Sequence, residues 1–165
     1  MKRFSLLFAV VALCAASADV ASAQTPQHLS LYEPATGGGT QIIDHAPRSP
    51  VKNYASKRYR FSVGDQILFH QPILNRRGGR KLGRLYGEMT SMGGNTWRSL
   101  YMTVRFTYAF NNGDRIIAEG IVSYANAASN LAIVGGTGTY HGARGTLIST
   151  LADDGSTLEA FTFVP

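Results

Sequence analysis

Asp44 and His45 stand side by side, the two residue types of an acid/base relay. Neighbours on a strand point to opposite faces, so if one of them faces an interior the other faces solvent. The remaining histidines, His28, His70 and His141, are scattered without the i, i+2 or i, i+4 spacing that puts two imidazoles on one face, and no metal site is expected. A nucleophilic serine needs a sharp strand-turn-helix elbow, and no segment offers one. Gly135, Gly136, Gly138, Gly142 and Gly145 crowd the stretch AIVGGTGTYHGARGTL. A phosphate-cradling glycine loop opens a helix, whereas here the strand-like TLISTL follows, so these glycines read as kinks and a turn between paired strands, with no nucleotide cofactor. Arg76, Arg77, Arg80, Lys81 and Arg84 concentrate positive charge around the turn RRGG, in a chain of formal net charge +6. Such a tip can hold an anionic surface through salt-sensitive contacts, or it can simply be a solvated hairpin that protects a sheet edge. No aromatic residues interleave with these cations, so nucleic acid is not an expected partner.

The elements that must position these residues are strands. Lys2 and Arg3, the apolar run Phe4 to Ala16 and the small residues Ala21-Ser22-Ala23 form an export signal, with cleavage expected between Ala23 and Gln24. It is too short for a transmembrane segment. Cys14, the only cysteine, lies inside it, so the exported chain carries no thiolate or disulfide. About 140 residues then remain, enough for one domain with a sizeable core. Residues 24–39, with Pro26, Pro34 and Gly37-Gly38-Gly39, read as a flexible lead-in, and 40–165 as the folded domain. From Thr40 onward, strands alternate with turns: 40–46, 65–74, 81–92, 97–110, 115–124, 131–135, 146–151 and 158–164. The connections are RRGG, GGN, NNGD and DDGS, and no segment sustains a helical period. Alternation puts Met102, Val104, Phe106, Tyr108 and Phe110 on one face, and Ile116, Ala118, Gly120, Val122 and Tyr124 on one face of the next strand. The expected fold is all-β, an eight-stranded antiparallel closed barrel whose interior is either packed or able to take one small apolar molecule.

The segment from Gly135 to Gly145, GGTG followed by Tyr140 and Gly142-Ala143-Arg144-Gly145, resembles the signature of the allene oxide cyclase and dirigent superfamily. Gly64-Asp65 opening the strand to Pro72, and Lys81 to Gly87, are similar to that family's next strands, so the resemblance covers about residues 40 to 165. It implies a cofactor-free barrel that is commonly a homotrimer. It also places Asp44 where the cyclases carry an inward glutamate, and Phe69 and Gln71 where they carry a cavity Phe and Asn. Met89 stands in place of their cavity cysteine and Val122 in place of their cavity tyrosine, with Tyr124 two residues on facing the same way. Ser129 replaces the arginine of the dirigent pattern. The resemblance thus implies a pocket of Ile67, Phe69, Gln71, Met89, Val122 and Tyr124, with Asp44 as the acid/base group. Two functions follow from it: an isomerase, cyclase or stereochemistry-guiding protein acting on a small apolar substrate, lipid-like or phenolic, or a non-catalytic binder of such a molecule or of an anionic surface.

Overall fold

A computed structural model of the chain describes residues 27–46, 61–93, 99–123 and 125–165. The expected export signal at 1–23, its cleavage point and Tyr124 lie outside the described residues. The strands are β1 (His28–Glu33), β2 (Gly39–Ile43), β3 (Gln66–Leu74), β4 (Lys81–Gly93), β5 (Tyr101–Phe110), β6 (Arg115–Ser123), β7 (Ala128–Thr137), β8 (Gly145–Leu151) and β9 (Thr157–Phe163). Every pairing is antiparallel, in the order β1-β9-β8-β7-β6-β5-β4-β3-β2. A further pairing of β1 with β3, Tyr32 opposite Leu74, closes the sheet. The expected eight-stranded closed barrel is therefore present, with β2 as an extra strand.

The strand that closes the barrel is not the expected one. β1 falls inside the stretch read as a flexible lead-in, and pairs along its whole length with β9, from His28 opposite Thr162 to Glu33 opposite Thr157. The folded unit therefore begins at β1, and the boundary at Thr40 is corrected. β2, read as the first barrel strand, pairs with β3 alone, Gly39 opposite His70 through Ile43 opposite Gln66. Residues 34–38, opening on Pro34, interrupt the run between the two, and β1 takes the wall position that β2 was expected to hold.

Elsewhere the period-2 pattern decides the faces. Met102, Val104, Phe106 and Tyr108 are buried while Tyr101, Thr103 and Arg105 between them are exposed. Ile116, Ala118 and Val122 are buried on β6. The glycine-rich stretch does what kinks and a turn do. The β6–β7 register slips between Ile117 and Ala118, and β7 leads into a single 3-10 turn at Gly138–Tyr140, with Gly138 at φ +62°. That turn folds Tyr140 back over one end of the barrel. There it stacks on Phe110 (ring centroids 5.4 Å apart) and on Phe163 (5.6 Å), and Phe161 continues the column to Tyr108 at 4.9 Å in an edge-on contact. These rings sit where β5 and β9 end and fill that end of the barrel. Toward the other end, the described side chains leave a cavity.

Candidate functional site

Above the aromatic floor lies a cavity of about 400 Å³. Its apolar wall comes from Ile67 and Phe69 on β3, Leu85 and Met89 on β4, Phe106 on β5 and Val122 on β6. Gly87 of β4 makes room for the Phe69 ring. A Cβ there would stand 2.2 Å from two atoms of the Phe69 ring, so the missing side chain lets that ring lie against the wall. Phe69 then meets Phe106 edge-on at 5.7 Å. Residues 34–35, 123, 126–127 and 155 surround the opening.

The structure brings Ile67, Phe69, Gln71, Met89 and Val122 to this one cavity, the five described members of the pocket read from the sequence. It does not bring Asp44 there. Asp44 is exposed, one residue beyond the end of β2. The neighbouring His45 is exposed as well, and its backbone N–H donates to the buried Asp65 at 2.8 Å. The expectation of an inward Asp44 assumes that its strand forms the barrel wall; β1 forms it instead, so Asp44 is corrected to a surface position outside the cavity. The basic residues remain on the β3–β4 hairpin. Arg76, Arg77, Arg80 and Lys81 are exposed, Arg77 pairs with Asp154 on the β8–β9 turn, and Arg84 donates from Nη1 to His70 Nδ1 at 2.9 Å.

The carboxylates that do enter the cavity are Glu33, at the end of β1, and Glu159, near the start of β9. They are 6% and 1% exposed. Glu159 sits directly opposite Ser149 of β8, whose hydroxyl donates to Glu159 Oε1 at 2.8 Å. Glu33 is its diagonal neighbour on β1. The Tyr108 hydroxyl rises from the aromatic floor beside them, close enough for each charge to perturb the others. Glu33 and Tyr108 each hydrogen-bond to Glu159 only loosely, so that Glu33 Oε1, Glu159 Oε2 and the Tyr108 hydroxyl, like Gln71 Oε1, are shielded from solvent without a protein partner at close hydrogen-bonding geometry. Buried polar atoms held this loosely are costly to the fold.

Burial, reinforced by the charge of Glu159, raises the Glu33 carboxyl well above the usual carboxylate range. Burial also pushes Glu159 up to about 7, while the Ser149 hydroxyl and the proton-bearing Glu33 and Tyr108 beside it work against the rise. Tyr108 is raised well above its ordinary value, first by burial and then by the two carboxylates. Near neutral pH one carboxyl therefore keeps its proton while the other sits close to its midpoint, the condition in which one group can donate a proton and its neighbour accept one. Among the described residues, no three His, Cys, Asp or Glu side chains gather in a way that would hold a metal ion.

Sequence reasoning passes over both glutamates, although a signal for each exists. In LEAFTF, Glu159 is in phase with the buried Phe161 and Phe163, and in HLSLYE, Glu33 is in phase with Leu29 and Leu31. A lone acid in step with core residues is a buried acid. Reading 24–39 as a lead-in removes β1 from consideration.

Residues 27–163 match the family model for dirigent-like proteins. Among solved structures, the chain is similar to one titled pyocyanin demethylase, with TM-score 0.62 and 18% identity over 83% of this chain and 99% of that one. It is also similar to two pterocarpan synthase dirigent proteins. For GePTS1 the TM-score is 0.59 at 17% identity, over 82% of this chain and 85% of that one. For PsPTS1 the TM-score is 0.61 at 20% identity, over 82% and 91%. No match is found among curated proteins. The resemblance read from the glycine-rich segment and the Gly-Asp strand is thus to the right superfamily.

Proposed function

The chain belongs to the dirigent-like family, and from that premise we propose that its barrel takes one small, mainly apolar molecule into the cavity and acts on it without a cofactor, as an isomerase, a cyclase or a guide of stereochemistry. The observation that carries this reading is the buried pair Glu33 and Glu159 on the wall of a cavity otherwise lined by Phe69, Phe106, Met89 and Val122. The apolar wall supplies affinity in proportion to the surface it removes from water, and the rigid strands fix the orientation of what it holds. The carboxyl pair supplies acid/base chemistry in a dry site, the role that the sequence alone assigns to Asp44. The names of the structural neighbours, a pyocyanin demethylase and pterocarpan synthase dirigent proteins, are in keeping with a small organic substrate. The reading includes export, on the strength of the signal at residues 1–23, and N-terminal sequencing of secreted protein that begins at Gln24 is the expected result.

Native mass spectrometry of freshly purified protein tests the binding half: one small molecule per chain, released on denaturation, is the expected species. For the catalytic half, Glu33→Gln and Glu159→Gln keep shape and remove acidity. Each should lower turnover of the cognate substrate by about 10²-fold or more, the scale for losing an acid/base group, with the fold intact. Asp44→Asn should leave turnover unchanged. Wild-type turnover in both glutamate variants would remove the carboxyl pair from the chemistry, and a bound molecule that is released unchanged would leave the chain as a binder only.

A further inference from the structure

The cavity is divided by chemistry across its diameter. In the barrel order β5 lies opposite β9 and β4 opposite β8, so Phe106 and Met89 face Glu159 and Ser149. One wall is aromatic and aliphatic; the other carries Glu159, Ser149 and Glu33, and Gln71 stands beyond Phe69 on β3, the strand that adjoins β1. Among the described residues, no Lys, Arg or His lines the cavity. The polar atoms without a close protein partner are three carbonyl or carboxyl oxygens, Glu159 Oε2, Glu33 Oε1 and Gln71 Oε1, together with the Tyr108 hydroxyl below them. Gln71 is not free to turn away, because the Gly38 backbone packs directly on its amide; a Cβ at Gly38 would stand 2.2 Å from Gln71 Oε1. A wall that carries two buried carboxyls disfavours an anion, and aromatic rings opposite it suit a cationic frame.

Resting on the reading of the cavity as a small-molecule site, we propose that it is selective for an organic cation: an aromatic or alicyclic frame with a protonated nitrogen, the frame against Phe69 and Phe106 and the N–H groups directed at Glu159, Glu33 and Gln71. A protonated amine brings charged N–H donors to oxygens that are otherwise held only by neutral hydroxyl and carboxyl groups. It also replaces the proton as counter-charge of the carboxyl pair, so that binding at neutral pH expels a proton from the pair to solvent. The titratable groups that face this point are Glu33 from β1, Glu159 from β9 and Tyr108 from β5; β3 and β8 contribute only the neutral Gln71 and Ser149. Protons compete with the cation, and its affinity falls as pH falls.

The test is calorimetric titration of the full exported chain with four probes on one frame: naphthylmethylammonium, naphthylmethanol, naphthoate and naphthalene. At pH 8 the ammonium compound should bind about tenfold tighter than the alcohol, the difference expected between charged and neutral hydrogen bonds. Naphthoate should bind most weakly. The ammonium advantage should shrink at pH 5 and vanish both in Glu159→Gln, which removes the carboxyl that ionises near 7, and in the double variant Glu33→Gln/Glu159→Gln, which removes the whole pair. Titration near pH 7 in buffers of different ionisation enthalpy should report proton release for the ammonium probe alone. Alcohol equal to ammonium, naphthoate equal to or tighter than ammonium, or an advantage that survives both variants overturns the cation proposal and leaves the small-molecule cavity standing. Failure of all four probes to bind overturns both.

Discussion

Glu33 and Glu159 set the sign of the protein's response to pH. A carboxyl whose folded value is raised binds its proton more tightly in the native state than in the unfolded chain, where it titrates near 4.5. Its contribution to stability is complete below that value and is lost as pH rises through the folded value. Denaturant unfolding should therefore give a larger free energy at pH 5 than at pH 8. Glu159 alone accounts for a difference on the order of 3 kcal/mol, because every tenfold gain in proton affinity on folding is worth about 1.4 kcal/mol. Glu159→Gln should flatten the profile, and a wild-type stability that rises from pH 5 to pH 8 would contradict the assignment. Gly87 is the other residue on which the site depends. Gly87→Ala puts a methyl group into the Phe69 ring, which is held in turn by Phe106. The expected cost is about 1–3 kcal/mol in thermal unfolding, together with weaker binding of any cavity ligand, since the displaced ring moves into the cavity.

At the scale of elements, the glycine-rich turn between β7 and β8 holds the floor in place by presenting Tyr140 to Phe110 and Phe163. Gly138 has a left-handed backbone there, and a Cβ would stand 1.8 Å from Asp114 Oδ1. Asp114 is itself held below the ordinary carboxylate range by hydrogen bonding with Thr139. Gly138→Val should cost about 1–3 kcal/mol, and an unchanged melting temperature would show that the turn is not strained. The β3–β4 hairpin should behave oppositely. Replacing Arg76, Arg77 and Arg80 with Gln removes exposed charges and the surface pair of Arg77 with Asp154, and the loss should stay within about 1 kcal/mol. These elements differ in how far the sequence reveals them. β5 is legible because Met102, Val104, Phe106 and Tyr108 alternate without interruption, and the same phase brings Ile67, Phe69, Gln71, Met89 and Val122 to one cavity. β1 is not legible in the same way: it is six residues long, lies between Pro26 and Pro34, and ends on a buried acid where a hydrophobe would have announced a strand. Its place is decided by pairing with β9 at the far end of the chain, a contact that no local pattern records. Asp44 is misplaced by sequence reasoning for that reason, since its own face depends on which strand closes the barrel.

On the scale of the whole molecule, the barrel is filled at one end and hollow at the other. The column from Tyr108 through Phe161 and Phe163 to Tyr140 and Phe110 supplies the buried apolar surface that stabilises the closed sheet. The cavity then carries two buried acids, a destabilising arrangement that the core must offset. What unites fold and function in this account is the claim that Glu33 and Glu159 form one coupled, partly protonated pair within the cavity. Side-chain carboxyl carbon NMR, followed across pH in wild type, Glu33→Gln and Glu159→Gln, measures this directly. The account predicts that Glu159 titrates near 7 and Glu33 well above the usual range, and that replacing either one shifts the midpoint of the other. Two independent titrations near 4.5, each indifferent to loss of the other, would contradict it.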